Sequence, residues 1–122
     1  MKEPVIVLKE MEIPPWLEDY VLPIVQRANI FSIKGQDGGK YIVIVMGQQP
    51  TGGYGIELIR VVEDGMYYTA DLEFYTPDED EGVTQQLTYP WLILKKQTEK
   101  PVRVRVFHDR DHLQPYLNQI IK

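Results

Sequence analysis

His108 and His112 stand four residues apart in HDRDH, a spacing that brings two imidazoles onto one helical face within reach of a metal. The zinc-peptidase pattern requires glutamate after the first histidine, where this chain has Asp109. Asp111 reads as the cap of a following helix, which leaves His108 in a turn. Gly38-Gly39-Lys40 invites a phosphate loop, but that loop needs glycine at position 34 and Ser or Thr at 41, where Lys34 and Tyr41 stand. The expected structure is a turn, from Asp37 to Lys40, that enters a strand. Asp78-Glu79-Asp80-Glu81 begins like a calcium loop. Its later ligand positions hold Gly82 and Tyr89, so a solvated acidic loop is expected, with no metal.

Nucleophilic chemistry has little material. There is no cysteine, and Ser32 is the only serine, in an apolar setting that reads as buried strand. No pair of carboxylates is placed in a cleft by the sequence. The chain therefore reads as a non-enzyme without a cofactor, metal or catalytic residues.

The elements that position any site follow from two hydrophobic periods. A short strand at 5–8 precedes 15–28, where Trp16, Leu17, Tyr20, Val21, Ile24, Val25 and Ala28 recur at helical spacing. Pro23 predicts a kink there. The run 41–46 is continuously apolar and β-branched, as in a strand covered on both faces. A second strand at 56–62 meets the Asp64-Gly65 hairpin signal, and 66–75 follows. In 66–75, Tyr68, Ala70, Leu72 and Phe74 face one way, while Thr69, Asp71 and Glu73 face water. Strand resumes over 83–96, interrupted at Tyr89-Pro90-Trp91. Val102-Arg103-Val104-Arg105-Val106 alternates strictly, with both arginines expected in solvent. Asp111, with Gln114 three residues on, would cap a last helix striped by Leu113, Tyr116, Leu117, Ile120 and Ile121. The expected class is α+β: a mainly antiparallel β sandwich or barrel with a helical segment near each terminus, one domain over 1–122.

Composition narrows the partners. With 43% apolar residues, 25% charged and a formal charge of −5, the chain suits a soluble globular domain. An acidic surface argues against nucleic acid or an anionic membrane as the main partner. The N-terminal apolar run is too short for a signal peptide, and no run approaches the roughly 20 residues of a spanning helix. The expected setting is cytoplasmic, or extracellular if a leader was removed.

Binding signals concentrate in QPTGGYGI and TYPW. Pro50-Thr51-Gly52-Gly53 specifies a defined reversal, since Pro50 fixes φ and the glycines allow close approach. Tyr54 then either packs at the core edge or serves as a rigid binding anchor. Tyr89, Pro90 and Trp91 allow the same two readings, since Pro90 equally marks a strand bulge.

The order of these residues resembles the C-terminal domain family of the protease complex subunit PrcB. Gly47, Pro50, Thr51, Gly52, Gly53, Tyr54 and Ile56 match its G-x-x-P-T-G-G-Y-x-I motif, Gly65 its hairpin, and Gln85, Thr88, Tyr89 and Pro90 its Q-x-x-T-Y-P segment. The resemblance covers about 41–96. It implies a bacterial, protease-associated accessory module that acts by protein–protein interaction. A weaker similarity is to the loops of chagasin-like cysteine-peptidase inhibitors. Pro50, Thr51, Gly53 and Tyr54 match one of their loops, and Pro90 and Trp91 another. Both resemblances imply a protein partner, a peptidase among the candidates, met by Pro50, Thr51, Gly52, Gly53, Tyr54, Tyr89, Pro90 and Trp91. A structural domain without a ligand site is the remaining alternative; it requires Tyr54 and Trp91 to be buried.

Overall fold

The structure, a computed structural model, describes residues 3–108 and 114–122. The continuous apolar run becomes β3 (Lys40–Val45), buried along its length from Tyr41 onward. Its two sides feed two different cores. Ile42 and Ile44 point between two stacked sheets, with Leu72, Phe74, Leu94, Val104 and Val106. Tyr41, Val43 and Val45 point the other way, onto a helical cover. Each such buried side chain contributes about 1.5–3 kcal/mol relative to exposure. That explains why the run shows no polar alternation.

The first sheet has the order β1-β6-β3-β2, where β1 is Val5–Val7, β2 Asn29–Lys34 and β6 Trp91–Lys96. All its pairs are antiparallel. The second sheet has the order β4-β5-β7-β8: Gly55–Asp64, Tyr67–Tyr75, Val102–His108 and Leu117–Ile121. Here β5 and β7 run parallel, because the chain visits β6 in the first sheet between them. The result is a mainly antiparallel sandwich, with the expected Asp64-Gly65 reversal closing the β4–β5 hairpin.

The helical cover is small. α1 (Pro15–Val21) starts on a proline at its first position and passes into a 3-10 turn at Leu22–Ile24, where Pro23 stands. Of its expected stripe, Leu17, Val21 and Val25 are buried, and Trp16, Tyr20 and Ile24 remain exposed. Trp16 still meets the Tyr41 ring edge-on at 5.7 Å.

The expected C-terminal helix is absent from the described residues. Residues 117–121 form β8, paired with β7 from Ile121↔Val102 to Leu117↔Val106. Only Ile121 of this strand is buried; Tyr116 and Ile120 are exposed. The apolar set at 116, 117, 120 and 121 fits a helical stripe, but the open edge of β7 supplies backbone partners that a short helix would lack. The proposed cap Asp111, with Leu113 and His112, lies outside the described residues. His108 ends β7 rather than lying in a turn, its ring 5.6 Å from Tyr116. Ser32 is also misjudged by sequence: it is exposed, because β2 is the edge of its sheet.

The wet face expected of β5 is not wet at its centre. Asp71 is 2% and Thr69 8% exposed. Arg105 lies across Asp71 and donates from Nε to Oδ1 at 2.8 Å and from its terminal nitrogen to Oδ2 at 2.9 Å. Arg60 Nε donates to Oδ2 at 3.0 Å. A β-bulge between Leu58 and Arg60 makes this possible. It leaves Ile59 unpaired and sets Arg60 directly opposite Asp71. The carboxylate holds the Arg105 pKa above its ordinary value, against desolvation. Arg105 is therefore a half-buried ion-pair partner rather than a solvated side chain. Arg103 is half-buried too, its guanidinium 4.5 Å from the Tyr67 ring centre.

Candidate functional site

The glycine loop is held by a clasp of backbone and side-chain bonds. Leaving β3, Met46 N donates to Pro90 O at 3.0 Å. Gly47 then takes a φ of +89°, and a Cβ there would lie 3.0 Å from the Ala28 backbone nitrogen. Gln49 and Thr88 form an isolated antiparallel bridge, with N···O distances of 2.8 and 3.0 Å. Thr88 Oγ1 donates to Thr51 O at 2.7 Å, and Gly52 N to Thr84 O at 3.0 Å. Tyr89 OH donates to Gln48 Oε1 at 3.3 Å. The segment 84–90 thus runs beside 46–52 and satisfies the backbone groups that the loop exposes.

Close approach explains the glycines. An ideal Cβ on Gly53, whose φ is +87°, would come within 2.7 Å of Pro77 Cβ and 2.9 Å of Val83. Gly53→Ala is expected to cost about 2 kcal/mol, from left-handed backbone strain plus displacement of Pro77 and Val83. Chemical denaturation measures it. A cost under about 0.5 kcal/mol would mean that the loop is not fixed by this contact.

Pro50 and Gly53 are exposed; Thr51, Gly52, Tyr54, Tyr89, Pro90 and Trp91 are half-buried. The clasp brings the two segments together through their backbones, but their aromatic rings diverge. Tyr54 packs against the inter-sheet core, while Tyr89 and Trp91 pack against the core beneath α1. Trp91 also borders a cleft of about 250 Å³ with Leu8, Ile13 and Ile93, rimmed by Glu10 and Glu18. The outermost apolar side chain of the clasp is Leu87, 51% exposed and preceded by exposed Gln85 and Gln86.

Sequence reasoning missed Thr84, Leu87 and Gln48 as parts of this clasp. The QQLT stretch reads as strand, and only the tertiary bridge to Gln49 turns it outward. Asp71 with its arginines was missed as well. Its signal is a carboxylate in a strand otherwise fit for a core, beside a second strand with two arginines in alternation. Asp78, Glu79, Asp80 and Glu81 are exposed, as a solvated loop should be. Among the described residues no group of three or more His, Asp or Glu is placed to hold a metal.

A β sandwich with a helical cover and a clasped glycine loop defines the class of the chain. Over residues 40–96, a little under half of its length, it matches the family model described as PrcB C-terminal. The matched range contains the PTGGY stretch, the hairpin glycine and TYP, the residues on which the resemblance rests. That segment spans β3 through β6 and contains both halves of the clasp. The family is not a known catalytic one. No curated protein and no solved structure matches the chain. Among the described residues no helix is long and apolar enough to cross a membrane.

Proposed function

We propose that the chain is a non-catalytic binding module whose clasped loops engage a protein, a peptidase of the kind that gives the family its name. The observation that carries this reading is the Gln49–Thr88 bridge. It fixes two loops into one rigid edge whose outward residues, Pro50, Thr51, Gly53 and Leu87, are uncharged in a chain of net charge −5. A rigid, uncharged edge loses little conformational entropy on association and costs little to desolvate. The flanking acidic loop at 78–81 supplies charge that selects among partners. The binding residues are therefore shifted relative to the sequence reading: Pro50, Thr51 and Gly53 stay, Leu87 joins, and Tyr54, Tyr89 and Trp91 support them from beneath.

The peptidase-inhibitor reading gains nothing comparable. An inhibitor of that type needs the two loops to present their large residues to one cleft, and Tyr54 and Trp91 pack toward opposite cores.

The test is site-specific photo-crosslinking in the source cells, with the reactive side chain placed in turn at Pro50, Leu87 and Met66. Met66 is 83% exposed in the β4–β5 turn and serves as the control surface. The expected result is one protein captured from both Pro50 and Leu87 and not from Met66. Its identity as a peptidase subunit would establish the accessory role. Capture that is equal at all three positions, or absent from the first two, would leave the clasp with a structural role alone.

A further inference from the structure

At the far end of the sandwich the strand register sets three lysines in one row. Lys34 on β2 pairs with Lys40 on β3, which pairs with Lys96 on β6. Directly opposed residues share a face, and this face is the one that carries Ile42 and Leu94 into the inter-sheet core. The row therefore closes the mouth of the sandwich, and Lys122, just beyond β8, joins it from the second sheet. These are four of the chain's eight lysines. They line a cavity of about 360 Å³ together with Thr98 and Glu99, the only side-chain carboxylate there among the described residues.

Like charges directly opposite across a sheet are destabilising. An inward lysine on an edge strand is a known guard against edge-to-edge association, and that accounts for Lys34. It does not account for Lys40 and Lys96, which stand on the interior strands β3 and β6. Acidic side chains are outnumbered here, with Glu99 alone set against the four lysines among the described residues that line the cavity. Lys40 Nζ donates to a Lys122 main-chain oxygen at 2.7 Å and Lys96 Nζ to the Thr98 carbonyl, so neither contact uses an acidic side chain. Burial and, after it, the charge of Lys40 push the Lys96 pKa down, with Glu99 opposing. The cluster holds positive charge in a partly desolvated concavity of an otherwise acidic protein.

We propose that this cavity is a binding site for a small, multiply charged oxyanion, held by Lys34, Lys40, Lys96 and Lys122. The neighbouring Gly38-Gly39 turn does not act as a phosphate loop. Its amides are already used: Gly38 N donates to Gly35 O and Gly39 N to Asp37 Oδ1. The ligand is therefore bound by ammonium groups acting as point charges, which serve phosphate and carboxylate oxygens alike. A compact anion with two or more charges is favoured over a monovalent one, because it satisfies several lysines in one step.

The experiment follows amide resonances of the ¹⁵N-labelled protein during titration with pyrophosphate, and separately with citrate, at ionic strength held constant with sodium chloride. Saturable shifts of Gly38, Gly39, Gln97 and Thr98 are expected, with half-saturation on the order of 1 mM. Saturation by pyrophosphate alone assigns the site to phosphates; saturation by citrate as well assigns it to multiply charged oxyanions generally. Lys96→Gln should weaken binding about tenfold, the loss of one charge-assisted hydrogen bond. Lys95→Gln removes the same charge from the opposite face of β6 and should leave binding within about twofold, since the distance to the cavity grows and salt screens the rest. In buffer without anion, Lys96→Gln should melt no lower than the parent, because a like-charge contact is relieved. The proposal is overturned if neither anion gives saturable shifts, or if Lys95→Gln and Lys96→Gln weaken binding equally. It is also overturned if Lys96→Gln alone lowers the melting temperature, which would make the row a structural clamp.

Discussion

Replacing Asp71 by alanine is expected to destabilise the protein by about 3 kcal/mol. Removing one partner of a buried ion pair typically costs about 3–5 kcal/mol, because the other charge is left without compensation. Here the lower end applies, since the Arg60 side chain is 51% and the Arg105 side chain 32% exposed and both regain some water. Asp71 itself is 2% exposed and ties β4, β5 and β7 together across the second sheet. Arg60→Met should cost less than about 1 kcal/mol, because Arg105 still holds both carboxylate oxygens. Urea denaturation of the two single variants measures this order. Equal costs would mean that the bulge-positioned Arg60, and not Arg105, is the main partner; a cost for Asp71→Ala below about 1 kcal/mol would remove the network from the account of stability.

Leu17→Ala should cost about 3 kcal/mol and act on one layer. The α1 helix has seven residues and no side-chain cap, far below the length of roughly 12 at which an isolated helix persists in water. It stays folded by burying Leu17, Val21 and Val25 against Val43, Val45 and Ile93. Leu17 is fully buried, and truncating such a leucine costs about 2–5 kcal/mol, increasing with the cavity left behind. Because the helix depends on so few contacts, local undocking should precede global unfolding. Hydrogen exchange is expected to lose protection first at 17–25, while the amides of β3 and β5 keep theirs. Uniform loss of protection across both layers would show instead that cover and sandwich open together.

Much of this fold is visible in local patterns. The unbroken 41–46 run announces a strand with two covered faces, and both β3 cores follow from it. Pro15 and Pro23 delimit the short cover, and Asp64-Gly65 marks the hairpin. What fails is instructive. Residues 116–121 carry a pattern that suits a helix or an edge strand, and only the vacancy beside β7 decides between them. The Ile59 bulge reverses the facing of β4 midway, so Ile56, Leu58 and Val61 point inward with no simple period. Asp71 looks solvent-facing because parity reports which side a residue points to and not what lies above it. The glycine loop was readable as a rigid element, since glycine and proline constrain backbones directly. Its partner was not. Thr84 and Thr88 are ordinary residues until a long-range bridge gives them work.

The parallel pairing of β5 with β7 carries a consequence for how the chain assembles. During synthesis from the N-terminus, the β4–β5 hairpin emerges with one long edge unsatisfied. That edge cannot close until the acidic loop, β6 and the following connection have all been made, because its neighbour is β7. Pairings between segments so distant in sequence form slowly, and an open strand edge is meanwhile a template for wrong partners. The carboxylates at 78–81 directly follow β5 and repel a second copy during that interval. The nascent chain is thus guarded by charge at the stage when its second sheet is half built.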